Sequence, residues 1–256
     1  MTNATETNAG TAPSDKKKSW DEPLKSIIYA VLLALVFRSL LFEPFHIPSS
    51  SMKDTLLIGD YIFVSKYSYG YGRYSFPLGL VPFKGRIFGS TPERGDVVVF
   101  RKPNQPSIDF IKRLIGLPGD TIQVKQGVLF VNGKEVPRRA ISDYKNEEAG
   151  AVTSMRRYVE TLPNGKSYHV LDMTQFGAVD NTGVYTVPDH HYFMMGDNRD
   201  NSTDSRYLDE VGFVPEENLV GRATIIFFSL KDDVHFWEFW KWPTAFRTHR
   251  LLRSID

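Results

Sequence analysis

The chain has 256 residues, a formal net charge of +1 and 41% hydrophobic residues, which suits one or two folded domains with a core that needs no disulfide or metal staple. Its near-balanced charge gives no case for nucleic acid or for a strongly acidic partner. Cysteine is absent, which excludes disulfides, thiolate metal sites and cysteine nucleophiles together.

Residues 1–15 are polar and carry no apolar period, so disorder is expected there. Lys16, Lys17 and Lys18 follow, then an apolar run from Ile27 to Phe37 and, beyond Arg38 and Ser39, Leu40, Leu41 and Phe42. A spanning helix wants roughly 20 mostly apolar residues. Lys25 and Arg38 flank the run, and their long side chains can snorkel to the headgroups and lengthen the usable span. Residues 24–45 are therefore read as a transmembrane anchor and 1–23 as a disordered tail. A cleaved signal peptide is the rival reading. It needs small residues near its end, and Phe37 to Pro44 offer no A-x-A site. Lysines ahead of the span put the N-terminus in the cytoplasm and everything after residue 45 outside.

The rest reads as mainly β. Short β-branched runs recur at Asp96–Phe100, Ile108–Ile115, Thr121–Lys125, Val128–Val131, Arg156–Thr161, Tyr168–Leu171, Gly183–Val187, Tyr192–Met195 and Arg222–Leu230. Asn132-Gly133 and Asn164-Gly165 mark hairpins, because both central residues of such turns need positive φ. Antiparallel sheets are expected, with the hairpins of 121–185 forming a second lobe. Residues 66–90, crowded with Tyr, Phe, Gly and Pro, read as a loop whose aromatics suit a lipid surface. The tail 231–256 sets Trp237, Trp240 and Trp242 near Arg247, Arg250 and Arg253; it fits either a membrane interface or packing on the β core.

Three stretches carry chemistry. Pro48-Ser49-Ser50-Ser51-Met52 is a serine cluster just past the anchor. Asp109-Phe110-Ile111-Lys112-Arg113-Leu114-Ile115 runs into Gly116-Leu117-Pro118-Gly119-Asp120. In a strand, Lys112 shares a face with Phe110 and Leu114, and desolvation there favours the neutral amine. Snorkelling to the strand edge is the bland alternative. The third stretch, Gly196 to Arg206 (GDNRDNSTDSR), is a dense set of short polar side chains after an apolar strand. Calcium fails on spacing: a frame from Asp197 puts Arg199 at a ligand position, and one from Asp200 puts Val211 where the bidentate Glu belongs. His190 and His191 are adjacent, so in a strand they face opposite ways and cannot share a metal.

Taken in order behind an N-terminal anchor, these stretches resemble the sequence boxes of bacterial type I signal peptidases. The likeness is good over about residues 45–125 and 190–225; residues 126–185 are similar only in being β-rich. It implies a mainly β fold: a catalytic antiparallel core from 46–125 and 186–230, with an inserted smaller β lobe at 126–185. By the same resemblance Ser51 is the nucleophile and Lys112 the general base. Ser202 orients the Lys112 amine, and the Ser51 backbone N–H with the Ser49 hydroxyl forms the oxyanion hole. Asp197, Asp204 and Arg206 brace the site, while Ile47, Pro48, Met52, Leu56, Phe110 and Ile111 line shallow apolar subsites that leave no charge for a charged substrate side chain. The implied partners are signal peptides of exported preproteins and membrane lipid, with no cofactor, metal or nucleic acid, and the implied location is the cytoplasmic membrane with the catalytic domain on its outer side. Two departures stand out: only one apolar span is present, and Ser50 occupies a position often held by Gly. A self-cleaving SOS-type repressor shares the serine–lysine dyad but would need a DNA-binding domain where this chain has a tail and a span. A membrane-tethered β module without catalysis is the non-enzyme alternative.

Overall fold

The computed structural model describes residues 21–75, 85–148, 151–174, 176–231, 234 and 237–255. The tail with Lys16–Lys18 and the middle of the aromatic loop, 76–84, lie outside the described residues. Residues up to Val36 and residues from Phe37 onward are two separate compact units.

The first unit holds most of helix α1 (Asp21–Leu40), with Pro23 in its first turn, where a missing N–H costs nothing. Among the described residues its Pro23–Leu40 stretch is the one helix long and apolar enough to cross a membrane, and it is apolar on every face, with Leu24, Ile27, Val31, Leu33 and Val36 all exposed. The expected anchor, 24–45, runs too far. The helix ends at Leu40, and the apolar Phe42 that looked like its continuation opens a strand instead.

The strands of the second unit, in chain order, are β1 (Phe42–His46), β2 (Asp60–Ser65), β3 (Val97–Lys102), β4 (Gln105–Gly116), β5 (Thr121–Lys125), β6 (Val128–Val131), β7 (Lys134–Glu135), β8 (Arg138–Glu148), β9 (Ala151–Thr161), β10 (Ser167–Asp172), β11 (Tyr185–Thr186), β12 (His191–Met195), β13 (Val214–Pro215), β14 (Leu219–Ser229) and β15 (Arg253–Ser254). All named pairings are antiparallel, as expected for a mainly β chain. One large sheet runs β1-β2-β14-β3-β4-β12-β13, with β15 also on β14. A three-stranded sheet runs β10-β9-β8 and a four-stranded one β11-β5-β6-β7. The expected lobe boundaries at 125 and 185 cut through that last sheet. Asn132 and Gly133 both have positive φ between β6 and β7, the turn that an Asn-Gly pair favours.

Two features of the large sheet position the site. The run Val97–Phe100 is wholly buried because β3 lies in the sheet interior, between β14 and β4. On the other side of β4, β12 pairs only with Arg113, Leu114 and Gly116. The stretch from Gln105 to Lys112 therefore keeps an open edge, and its residues through Phe110 are exposed or half-buried while those from Ile111 on are buried. The C-terminal tail is tied into this unit: β15 joins β14, and Arg250 is buried against Asp60 at 2.6 Å. Trp242 packs on Phe228, whereas Trp237 and Trp240 are 68% and 63% exposed.

Candidate active site

The segment after β1 carries Ser51 to the inner end of the open β4 edge. Lys112 donates from Nζ to Ser51 Oγ at 2.7 Å and to its neighbour's carbonyl, Ile111 O, at 3.0 Å. Its amine lies 5.0 Å from the Phe110 ring centre, and the residue is only 4% exposed. Burial pushes the Lys112 amine down to about 8, with Asp204 and Asp197 offsetting part of that effect. Among the described residues no carboxylate forms an ion pair with it. A buried amine of that basicity, in contact with a hydroxyl, can hold or receive the hydroxyl's proton near neutral pH.

The polar loop from Gly196 to Arg206 closes the other side. Asn198 donates its backbone N–H to Ser51 O at 3.0 Å and its side-chain amide to Ser50 O at 3.1 Å. Asn201 Nδ2 donates to Ser50 Oγ at 2.8 Å, a contact that glycine at position 50 would lack. A Cβ on Gly196 would overlap the Ser202 hydroxyl and lie 2.6 Å from Ser51 O, so glycine is what allows the loop to approach the serine segment. Ser202 donates to Asp204 Oδ2 at 2.8 Å. The expected hydrogen bond between Ser202 and the Lys112 amine is not made: the hydroxyl donates to that carboxylate, and Lys112 donates to Ser51 and Ile111 O.

Behind these groups lie three buried ion pairs. Arg206 binds Asp204 through Nε and Nη2 at 2.8 and 2.9 Å. Burial works to raise the Asp204 carboxyl, but Arg206, with the Gly196 N–H and Ser202 hydroxyl donors, outweighs it and holds it below the ordinary carboxylate range. Arg113 grips Asp197 through Nε and Nη2 at 2.9 and 2.8 Å, and Thr55 donates to the same carboxylate at 2.5 Å. Arg199 pairs with Glu160 of β9, which also accepts from Tyr168 at 2.9 Å. Three cations and three anions thus close on one another, and the cluster is balanced when Lys112 is neutral. Asn198, Asn201, Gly196, Arg113, Thr55 and Glu160 are site residues that the sequence reading did not single out. The first three belong to the polar loop already marked as unusual; Glu160 had no signal, being 39 residues from its partner.

A cleft of about 650 Å³ runs from Ser51 back along the chain to Phe45, facing Ile108–Lys112 of β4. Of the residues read as subsite walls, Ile47, Pro48, Phe110 and Ile111 line it, together with Ser49 and Ser202. Met52 and Leu56 do not. Both are fully buried in the core with Val64 and Val97, because the turn after Ser51 rolls them underneath. The cleft is not free of charge either, since Asp109 and Asp200 line it, the former 3.2 Å from Arg101. Ser49 is an exposed residue whose Oγ lies 3.4 Å from Ser51 Oγ, longer than an ordinary hydroxyl hydrogen bond.

Known proteins resemble this chain along most of its length. The family model described as signal peptidase, peptidase S26, matches residues 20–228. Signal peptidase I of Rickettsia typhi is 45% identical over 229 residues, covering 86% of this chain and 84% of that protein. Signal peptidase I of Rickettsia canadensis is 42% identical over 261 residues, covering 94% and 96%. A crystal structure of a signal peptidase I from Enterococcus faecalis shares 29% identity, with a TM-score of 0.31 over 52% of this chain and 97% of that one. With the family model spanning most of the chain and relatives above 40% identity along more than four-fifths of their length, this chain belongs to the signal peptidase family, peptidase S26.

Proposed function

We propose that this signal peptidase cuts preproteins by serine–lysine acyl-enzyme chemistry. The observation that carries the reading is the 2.7 Å contact between Lys112 Nζ and Ser51 Oγ, made by an amine that is buried without a carboxylate partner. Neutral Lys112 takes the Ser51 proton as Oγ attacks the scissile carbonyl. The tetrahedral intermediate is held by the Ser51 N–H and the Ser49 hydroxyl, which needs to turn inward from its 3.4 Å position. The C–N bond breaks, and the Lys112 ammonium gives its proton to the leaving amine. Water then attacks the acyl ester, Lys112 takes the water's proton, and Ser51 Oγ recovers it as the product acid leaves.

The substrate lies extended along the open edge of β4, where the stretch up to Lys112 pairs with β3 on one side and, among the described residues, with no strand on the other. Ile47, Pro48, Phe110 and Ile111 then restrict the residue before the cut, and the one two places earlier, to small groups such as alanine. The helix α1 anchors the chain in the cytoplasmic membrane, with the N-terminus inside, as Lys16–Lys18 and Lys25 suggest. The catalytic unit then works on the outer face. Exposed Phe88, Trp237, Phe239 and Trp240 suit contact with lipid.

The direct test is incubation of the purified full-length protein with a preprotein, followed by mass analysis. Cleavage after an A-x-A sequence is expected, with none by the Ser51→Ala variant. A Ser51→Ala protein that still cuts at the same bond overturns the mechanism.

A further inference from the structure

A second pocket, of about 420 Å³, opens on the far side of Ser50 from the main cleft. The two share Ser50, Asp200 and Asn201, whose side chains form the divide, Asn201 being hydrogen-bonded to Ser50 Oγ. The main cleft follows the chain backward from Ser51 to Phe45, whereas the second pocket follows it forward to Lys53. Its walls are Met155 of β9 and Met173 after β10, unbranched and polarizable side chains that adapt to varied shapes. Asp200 and Asn198 also line it, with their Oδ1 atoms buried. Asp200 is otherwise well held, because its Oδ2 accepts from the backbone N–H groups of Met173 and Thr174 at 2.6 and 3.0 Å.

We propose that this pocket receives the first residues of the mature chain, those just after the scissile bond. The inference rests on the cleavage reading above and extends it to the leaving-group side. A substrate whose upstream residues fill the main cleft must continue past Ser51 in the other direction, and the second pocket is the continuation that shares the cleft's own walls. A side chain of that segment rests between Met155 and Met173. Selection here makes loose side-chain demands, since neither methionine fixes a shape.

Binding is read in the full-length Ser51→Ala protein in detergent, so that no turnover is needed. Two labelled peptides share their sequence up to the first residue past the cut; one ends there as an amide and the other continues for six more residues. The longer peptide is expected to bind about tenfold more tightly, the effect of burying part of one apolar side chain between the methionines. Adding Met173→Trp, at a position 54% exposed, fills the pocket and closes that gap to within about twofold. A thermal melt confirms that the doubly substituted protein is folded. Equal affinities in the first protein, or a tenfold gap that survives Met173→Trp, overturn this inference and leave the cleavage reading standing. Failure of both peptides to bind overturns both.

Discussion

Lys112 and Arg113 are neighbours on one strand, both cationic by nature and both buried, yet their surroundings treat them in opposite ways. On one face of β4 the Lys112 amine meets a hydroxyl and a carbonyl, and burial lowers it to about 8. On the other face burial also works against the Arg113 cation, but the carboxylate of Asp197, gripped in a two-bond fork, more than reverses it and raises the group above its ordinary value. Burial by itself therefore does not decide the charge of a side chain. The presence of a partner does: one face holds a charge that stays, and the other an amine that can exchange a proton near neutral pH.

The contrast can be broken at several points. Lys112→Arg puts a permanent cation on the proton-moving face, and arginine cannot serve as a base. Cleavage is expected to fall by at least about 10³-fold, a loss typical of removing a dyad or triad member; a rate within tenfold of the parent disproves the base assignment. Asp197→Ala strands the Arg113 cation without its anion. Stability should drop by roughly 3–5 kcal/mol, read by urea melts, because an uncompensated buried charge remains.

Lys112→Met acts in the opposite sense. The folded pKa of about 8 lies below the ordinary 10.5, so protonated Lys112 destabilises the native state below pH 8, and that penalty fades as pH rises toward 10.5. The methionine variant should be more stable at pH 7 by roughly 3 kcal/mol, with the advantage shrinking above pH 8. An advantage that is flat from pH 6 to 11 refutes the idea. For the active enzyme the same shift predicts that kcat/KM rises with pH through an apparent pKa near 8. The smallest effect concerns the substrate. Leu, Phe or Lys in place of Ala before the cut should lower kcat/KM about tenfold or more, from roughly 1–3 kcal/mol of overpacking.

The proton-moving face was the more legible of the two. Ser51 and Lys112 stand in short stretches whose composition no core would choose, and the polar loop announces itself by eight Asp, Asn, Ser and Thr side chains from Asp197 to Ser205. The strands at 97–102, 121–125 and 191–195 were visible in β-branched or alternating runs. What stayed hidden depends on contacts distant along the chain. Glu160 cannot be matched to Arg199, nor Asp60 to Arg250, without the fold. β8 reads as charged loop, RRAISDYKNEE, and is a strand because β9 pairs with it along its length. Met52 and Leu56 misled by closeness in sequence to Ser51, since a turn carries them into the core. β1 was absorbed into the anchor because Phe42 and Phe45 look like membrane residues. A soluble version should therefore begin near Leu41, as cutting after residue 45 removes most of a strand that pairs with β2.

The order of strands in the large sheet also governs when the enzyme can come into being. β14 lies between β2 and β3 although it follows them by well over a hundred residues. No strand bridges β2 to β3 until residues 219–229 have emerged, and Asp60 waits longer still for Arg250. A chain delivered from its N-terminus thus carries Ser51 and Lys112 early, but has no sheet to hold them together. The large sheet therefore closes only once nearly the whole chain is available.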